Sequence, residues 1–156
     1  MDLGWRPMER RNRRETPERG QTSMASDPLT GEPILFGGVA HSPPAYLNDT
    51  WTWNGISWVH LAPVHSPQAR SEAAMATSSS NKKVLLVGGR FGPTYFTDAW
   101  TWDGTDWTQT AGSGGRLDAM AVDVGNKVLV FGGVNTASDS FTNDSAMWDG
   151  STWGAA

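Results

Sequence analysis

Three short apolar runs divide the chain into repeats, and each run ends in a pair of glycines. The runs occupy residues 34–38, 84–89 and 128–133. Each follows an arginine and a Met-Ala pair, and each precedes an aspartate, a Trp-Asn-Gly or Trp-Asp-Gly sequence and a final tryptophan. The glycine pairs recur after 51 and then 44 residues. Because these features recur in the same order three times, we expect a repeat protein whose units bury apolar faces against one another.

Each repeat predicts four short strands, a to d. Strand a holds the Met-Ala pair, and strand b is the unbroken apolar run, which is typical of a strand buried on both faces. Strand c alternates aromatic and β-branched residues, as in Trp51-Thr52-Trp53, a pattern with a period of two. Strand d begins at the final tryptophan of each repeat, which is Trp58, Trp107 or Trp153.

The connection between strands c and d carries a hairpin signal in every repeat. The dipeptides are Asn54-Gly55, Asp103-Gly104 and Asp149-Gly150. They favour a two-residue turn, because that turn needs a positive φ at both central residues. A two-residue turn would place Trp51 opposite Trp58, whereas a four-residue loop would place Trp53 opposite Trp58. Both registers build a tryptophan-rich face that a neighbouring sheet must cover.

An apolar run ending in Gly-Gly, followed by an aromatic residue and a spaced tryptophan at a period of about 50, resembles the kelch repeat. The resemblance covers about residues 17–156 and implies that each repeat is one blade of a β-propeller. We therefore expect an all-β fold with about three four-stranded antiparallel blades, at approximately 19–66, 67–115 and 116–156. The chain departs from the kelch pattern because tryptophan replaces the usual tyrosine at Trp53, Trp102 and Trp148.

Three blades are fewer than the typical number of about four to eight in a propeller, where closure of the ring protects strand edges. Two explanations remain open. The chain forms an incomplete ring, as a slice of a larger propeller, or two copies form a homodimer that closes a six-bladed ring.

The N-terminal segment, residues 1–18, is rich in arginine and differs from the acidic remainder of the chain. The net charge of the whole chain is −4. A basic arm could bind nucleic acid. The acidic residues interspersed in it and its lack of aromatic residues favour a poorly ordered connection or the remnant of a preceding blade, so no nucleic-acid partner is expected. It lacks the apolar core of a secretory signal, and no apolar run in the chain is long enough for a membrane span.

Few residues suggest chemistry. The absence of cysteine excludes a disulfide scaffold, a thiolate zinc site and a cysteine nucleophile. The three histidines lack metal-ligand spacing, and Asp49, Asp98 and Asp144 recur at one repeat position, which favours a structural role in accepting loop hydrogen bonds. We expect no catalytic residue, no metal and no cofactor.

Binding is the remaining function, and the resemblance implies that the loops between strands b and c make the contacts. These loops are expected at residues 39–48, 90–97 and 134–143, where Tyr46, Tyr95 and Phe141 share one repeat position. His41, Arg90 and Phe91 differ between repeats and are therefore the candidate partner-binding residues.

The sequence thus predicts a non-catalytic interaction module for a protein or glycan partner. The alternative is a fragment of a larger kelch-type carbohydrate-active enzyme, an oxidase or a sugar isomerase, whose catalytic residues lie outside this chain. The copper chemistry of galactose oxidase-type kelch enzymes needs a cysteine and cannot occur within these residues. The resemblance to bacterial kelch proteins also implies an extracellular or cell-surface location.

Overall fold

The structure is a computed structural model that describes residues 16–112, 116–135 and 137–156. Within these ranges every regular element is a β-strand. Residues 1–15 of the predicted N-terminal segment lie outside the described residues. The four predicted strands are present in each repeat, and the sheet that they form is called a blade below.

Blade 1 is a five-stranded antiparallel sheet. Its strands are β1 (Arg19–Gly20), β2 (Ser23–Ser26), β3 (Pro33–His41), β4 (Pro44–Trp53) and β5 (Trp58–Leu61). The order is β1-β3-β4-β5, and β2 pairs with another part of β3.

Blade 2 contains four antiparallel strands and is accompanied by a small hairpin. The elements are β6 (Ala74–Ser78), β7 (Lys83–Val87), β8 (Arg90–Phe91), β9 (Thr94–Tyr95), β10 (Ala99–Trp102) and β11 (Trp107–Thr110). The blade has the order β11-β10-β7-β6, and β8 pairs with β9 as a separate sheet.

Blade 3 repeats the four-stranded arrangement and has its own accessory sheet. The elements are β12 (Arg116–Leu117), β13 (Met120–Val124), β14 (Lys127–Phe131), β15 (Val134–Asn135), β16 (Ser140–Phe141), β17 (Ser145–Trp148) and β18 (Trp153–Ala155). The blade has the order β13-β14-β17-β18, and the accessory sheet has the order β12-β15-β16.

Two expectations about the sheets need correction. The described strands form five hydrogen-bonded sheets rather than three, because short strands beyond the glycine pairs make pairings of their own. For the same reason, the predicted loops at 39–48, 90–97 and 134–143 contain strands: they are the ends of β3 and β4, the β8–β9 hairpin and the β15–β16 hairpin. The chain regains backbone pairing after each glycine pair, which satisfies its polar groups.

The connection between strands c and d adopts the four-residue register. Trp53 pairs with Trp58, and the corresponding tryptophans pair in the other blades. The two-residue turn does not form, because the Asn54 side-chain oxygen accepts hydrogen bonds from the backbone N–H groups of Ile56 and Ser57, both at 3.0 Å. This side-chain contact stabilises a wider turn.

Two apolar clusters join the blades, and blade 2 belongs to both. The first lies between blades 1 and 2 and contains Ile34, Phe36, Met75, Val84, Leu86, Trp102 and Trp107. The second lies between blades 2 and 3 and contains Ala74, Ala76, Leu85, Val87, Ala99, Val128, Val130 and Trp148. Alternate residues of β7 therefore face opposite neighbours, as the period of a strand requires.

The prediction that strand b is buried on both faces is correct for β7 and wrong for β14. All four apolar residues of β7 are at most 1% exposed. In β14, Val128 and Val130 are fully buried against blade 2, but Phe131 is 50% exposed. One face of blade 3 is therefore covered and the opposite face is accessible.

The glycine pairs form the backbone junctions between blades. The N–H of Gly38 donates to the carbonyl of Arg70 at 2.9 Å, and the N–H of Gly89 donates to the carbonyl of Arg116 at 3.0 Å. A Cβ on Gly37 would lie 2.6 Å from the Arg70 carbonyl oxygen, and one on Gly88 would overlap the Arg116 carbonyl oxygen. Glycine is therefore needed at these positions, because the two backbones approach too closely for a side chain.

Candidate functional site

The repeated arginines and aspartates form ion pairs that hold each blade to its entry segment. The pairs are Arg19–Asp49, Arg70–Asp98 and Arg116–Asp144, and each guanidinium contacts both carboxylate oxygens. Nη1 of each arginine also donates to a glycine carbonyl, that of the first glycine in the glycine pair of the same repeat. The aspartates are structural, as expected, but their main partner is arginine rather than the loop backbone.

These contacts set the charge of the aspartates. Burial raises the pKa of Asp98, but hydrogen bonds from Arg70 and from the Trp100 indole outweigh it, and the pKa lies below its ordinary value. The pKa of Asp49 is lowered by the same balance, with Arg19 and Trp51 as donors. The repeated carboxylates are therefore ionised and already occupied, which leaves the candidate site to other residues.

A polar residue lies two positions after each repeated arginine. These residues are Gln21, Glu72 and Asp118, and each has a left-handed backbone with φ of 56°, 59° and 50°. The N–H of Glu72 donates to the carbonyl of Gln21 at 3.1 Å, and the N–H of Asp118 donates to the carbonyl of Glu72 at 3.2 Å. Backbone hydrogen bonds between successive repeats thus hold the three residues side by side, in a conformation that is costly outside glycine.

The three residues line a cavity of about 390 Å³ between the first strands of the blades. Its walls are residues 21–24 of blade 1, 72–75 of blade 2 and 118–121 of blade 3. The wall combines carboxylate, amide and hydroxyl residues with methionines and alanines. Such a mixture of apolar wall and few polar groups is typical of small-ligand sites.

Arg90 adds a cation beside this cavity. Its Nη2 donates to Glu72 Oε1 at 2.7 Å, and the Gln21 amide donates to the same oxygen at 2.6 Å. The hydrogen bond to Glu72 raises the pKa of Arg90. The Glu72 side chain is only 7% exposed, whereas the Arg90 side chain is 36% exposed. Glu72 therefore anchors a guanidinium that remains partly accessible.

The predicted binding residues occupy different places. Arg90 and Phe91 form β8, and the Phe91 ring contacts that of Tyr46 in blade 1 at a centroid distance of 4.9 Å. His41 is exposed at the end of β3. Among the described residues, no hydrogen bond, ion pair or ring contact joins His41 to Arg90 or Phe91. Arg90 and Phe91 are thus neighbours in β8, and His41 lies on the hairpin that β3 forms with the strand of Tyr46.

Sequence reasoning missed Gln21, Glu72 and Asp118. The signal that could have found them is a polar residue at a constant distance of two from each repeated arginine. In the part of the chain that the structure describes, no group of three or more metal-ligating side chains occurs. No helix that could span a bilayer occurs among the described residues either.

Comparisons with known proteins find similar solved structures. No protein-family profile matches the chain, and no curated protein matches it. The solved structure of YjhT is similar, with a TM-score of 0.68 and 20% sequence identity over 88% of this chain. The fold is a β-propeller. The match covers 46% of the YjhT chain, so the present chain spans less than half of that propeller's length. At this identity the likeness concerns the fold alone.

Proposed function

We propose that this chain is a kelch-type propeller segment that acts as a non-catalytic interaction module and binds a glycan or protein partner beside Arg90. The order of repeated features in the sequence supports the kelch assignment. The observation that carries the binding role is the accessible Arg90 guanidinium, held by Glu72 at the cavity between the blades.

The repeat pattern does not require an arginine at position 90. By strand register it corresponds to Val39 in blade 1 and to Val134 in blade 3, because these residues pair with Tyr46, Tyr95 and Phe141 at one repeat position. An apolar residue thus satisfies the fold at this place in two blades. Blade 2 has the charged Arg90 at this place, and its Nε is buried without a hydrogen-bond partner among the described residues. This exception to the repeat points to a role in recognition.

The cavity favours a glycan end as the ligand. Asp118 offers a carboxylate acceptor on the cavity wall, and Arg90, which is paired with the wall residue Glu72, offers donors beside it; both suit the hydroxyl groups of a sugar. The volume of about 390 Å³ lies in the range of small-ligand sites. The aromatic pair of Tyr46 and Phe91 adds apolar surface next to the charged group.

A protein partner is the second candidate, because aromatic rings are exposed on the accessory hairpins. Phe91 is 43% exposed and Phe141 is 89% exposed. Exposed aromatic residues on loops are common anchors of protein interfaces. In this case the partner would contact the hairpins rather than enter the cavity.

A glycan array tests the first candidate. The labelled protein is applied to neutral and acidic oligosaccharides, and Arg90→Ala is compared with the control Lys82→Ala, at an exposed lysine in the turn between β6 and β7. We expect Arg90→Ala to reduce binding at least about tenfold, the value of a charged hydrogen bond of about 1.5–3 kcal/mol. Near-ultraviolet circular dichroism checks that the buried tryptophans keep their packing.

Three other results are informative. Binding that survives Arg90→Ala contradicts the role of this site. An array without signal, together with loss of a cross-linked protein partner in Phe91→Ala and Phe141→Ala, favours the protein candidate. Turnover of sugars by oxidation or isomerisation would support the competing hypothesis, a fragment of a larger kelch-type enzyme, and would contradict a non-catalytic role.

A further inference from the structure

The two observed junctions bury the same face of a blade. Ile34 and Phe36 of blade 1 lie against blade 2, and Leu85 and Val87 of blade 2 lie against blade 3. By strand register, the corresponding residues of blade 3 are Leu129 and Phe131. We call the side chains on this side of β13, β14 and β17 the outer face of blade 3. Its apolar members are Met120, Val122, Val124, Leu129, Phe131 and Met147, and Lys127 and Ser145 lie on the same side.

The outer face of blade 3 is apolar and accessible. Met120 is 74% exposed and Val122 is 53% exposed, whereas their counterparts in blade 2, Ala74 and Ala76, are both 5% exposed in the core. Phe131 is 50% exposed, against 1% for Val87. A contiguous exposed apolar sheet face of this kind marks an interaction surface.

The backbone of the third glycine pair matches those that form junctions. Gly132 and Gly133 have φ of 65° and 91°, close to the values of 65° and 89° at Gly88 and Gly89. A Cβ on Gly88 would overlap the Arg116 carbonyl of the following repeat. Among the described residues, a Cβ on Gly132 would have only the Thr142 carbonyl oxygen within 4 Å, at 3.4 Å. The space that an arginine carbonyl fills at the other junctions is thus open to an incoming blade.

We propose that the outer face of blade 3 binds blade 1 of a second copy of this chain, head to tail. Blade 1 offers the groups that the junctions use. Arg19 occupies the repeat position of Arg70, whose carbonyl accepts the glycine N–H. Met24 is 57% exposed and corresponds to Met75, which is buried at the first junction. The new contact is therefore a continuation of an interface that the chain already forms twice.

One copy of the chain covers 46% of the YjhT chain, so two copies together would span about nine tenths of that length. A head-to-tail contact closes into a ring when its rotation fits, and two identical junctions would then join two copies with the blades continuing in order.

Light scattering after size exclusion gives the first test. We expect a particle of about 34 kDa, twice the 16.8 kDa of the chain, over a range of protein concentrations. Val122→Lys should halve the mass. Val64→Lys, at a valine that is 86% exposed outside this face, is the matched control and should leave the mass unchanged. Near-ultraviolet circular dichroism reports whether both variants keep the packing around Trp102 and Trp148.

A mixing experiment tests the head-to-tail geometry. Val122→Glu and Met24→Lys each place a charge in both junctions of their own dimer, and each protein alone should be monomeric. In the mixture, one junction pairs the introduced carboxylate with the introduced ammonium group and the other junction is unchanged, so a particle of about 34 kDa, twice the chain mass of 16.8 kDa, should return. A contact of blade 3 with blade 3 would not be restored in this way.

Three results would overturn the proposal. These are a monomer of the unaltered chain at every concentration, a dimer that survives Val122→Lys, and a mixture that stays monomeric although both variants are folded. The first would indicate that another polypeptide segment covers the outer face. None of them depends on the ligand-binding role of Arg90, whose glycan test can succeed or fail separately.

Discussion

Arg70 and Asp98 form a bidentate ion pair, with nitrogen–oxygen distances of 2.6 and 2.9 Å, in which the arginine side chain is 1% exposed. The guanidinium also donates to the carbonyls of Gly88 and Gln68 and lies over the Phe96 ring at 4.1 Å. All of these partners of the guanidinium belong to the repeat that contains Arg70. This pair connects the entry of blade 2 to the start of its third strand.

Loss of Arg70 should be strongly destabilising. In Arg70→Ala the Asp98 carboxylate loses its cation and the Gly88 carbonyl loses a donor, and we expect the free energy of unfolding to fall by about 3–5 kcal/mol. Urea unfolding followed by tryptophan fluorescence measures this change. Lys82→Ala, at an exposed lysine, is the control and should change it by less than about 0.5 kcal/mol. A loss below about 1 kcal/mol in Arg70→Ala would show that the pair does not hold the blade.

Acid should weaken the fold through the same carboxylates. The pKa values of Asp49 and Asp98 lie below their ordinary value in the folded chain. Each therefore contributes stability that is complete above the unfolded pKa of about 4 and is lost as the pH falls through the lower folded pKa. We expect the free energy of unfolding to decrease steadily below about pH 4.

Asp98→Asn isolates this contribution. The variant should be less stable at neutral pH and should lose less stability than the original chain between about pH 5 and about pH 2. Asp139→Asn, at an exposed turn residue, is the matched control. An unchanged acid profile in Asp98→Asn would contradict the assignment. The measurement is a set of urea unfolding curves across this pH range.

The glycine at a blade junction should be far less replaceable than a glycine with the same backbone in open space. Gly88 and Gly125 have φ of 65° and 66°, but only a Cβ on Gly88 would meet the Arg116 carbonyl. We expect Gly125→Ala to cost about 1–2 kcal/mol for its left-handed backbone. Gly88→Ala should cost at least about 2 kcal/mol more, because two blades must separate. Equal costs in urea unfolding would refute close packing at the junction.

Much of the fold could be predicted because each signal is local and occurs three times. The apolar runs, the glycine pairs and the tryptophans located the strands. The turn register could not be chosen, because Asn54-Gly55 suits two loop lengths and the decision rests on where the Asn54 oxygen finds its donors. The exposure of Phe131 was not predictable either, since its sequence neighbours resemble those of buried Val87.

The candidate site was predicted only in part. Arg90 and Phe91 were chosen as candidates because they differ between repeats, and this choice stays a prediction; Glu72, the ion-pair partner of Arg90, was not anticipated. Glu72 lies 18 positions from Arg90. Its counterparts are the amide Gln21 and the shorter carboxylate Asp118, so the three residue types do not reveal their shared repeat position. Only the hydrogen bonds between successive repeats show that the three residues line one cavity.

The junction between blades also bears on how such a chain changes in length. Each repeat carries both halves of the contact, an arginine carbonyl at its start and a glycine pair after its second strand. A duplication of one whole repeat would therefore supply a matching donor and acceptor at once, without compensating substitutions elsewhere. The number of blades can thus evolve in whole units, while residues that differ between repeats, such as Arg90, diverge independently.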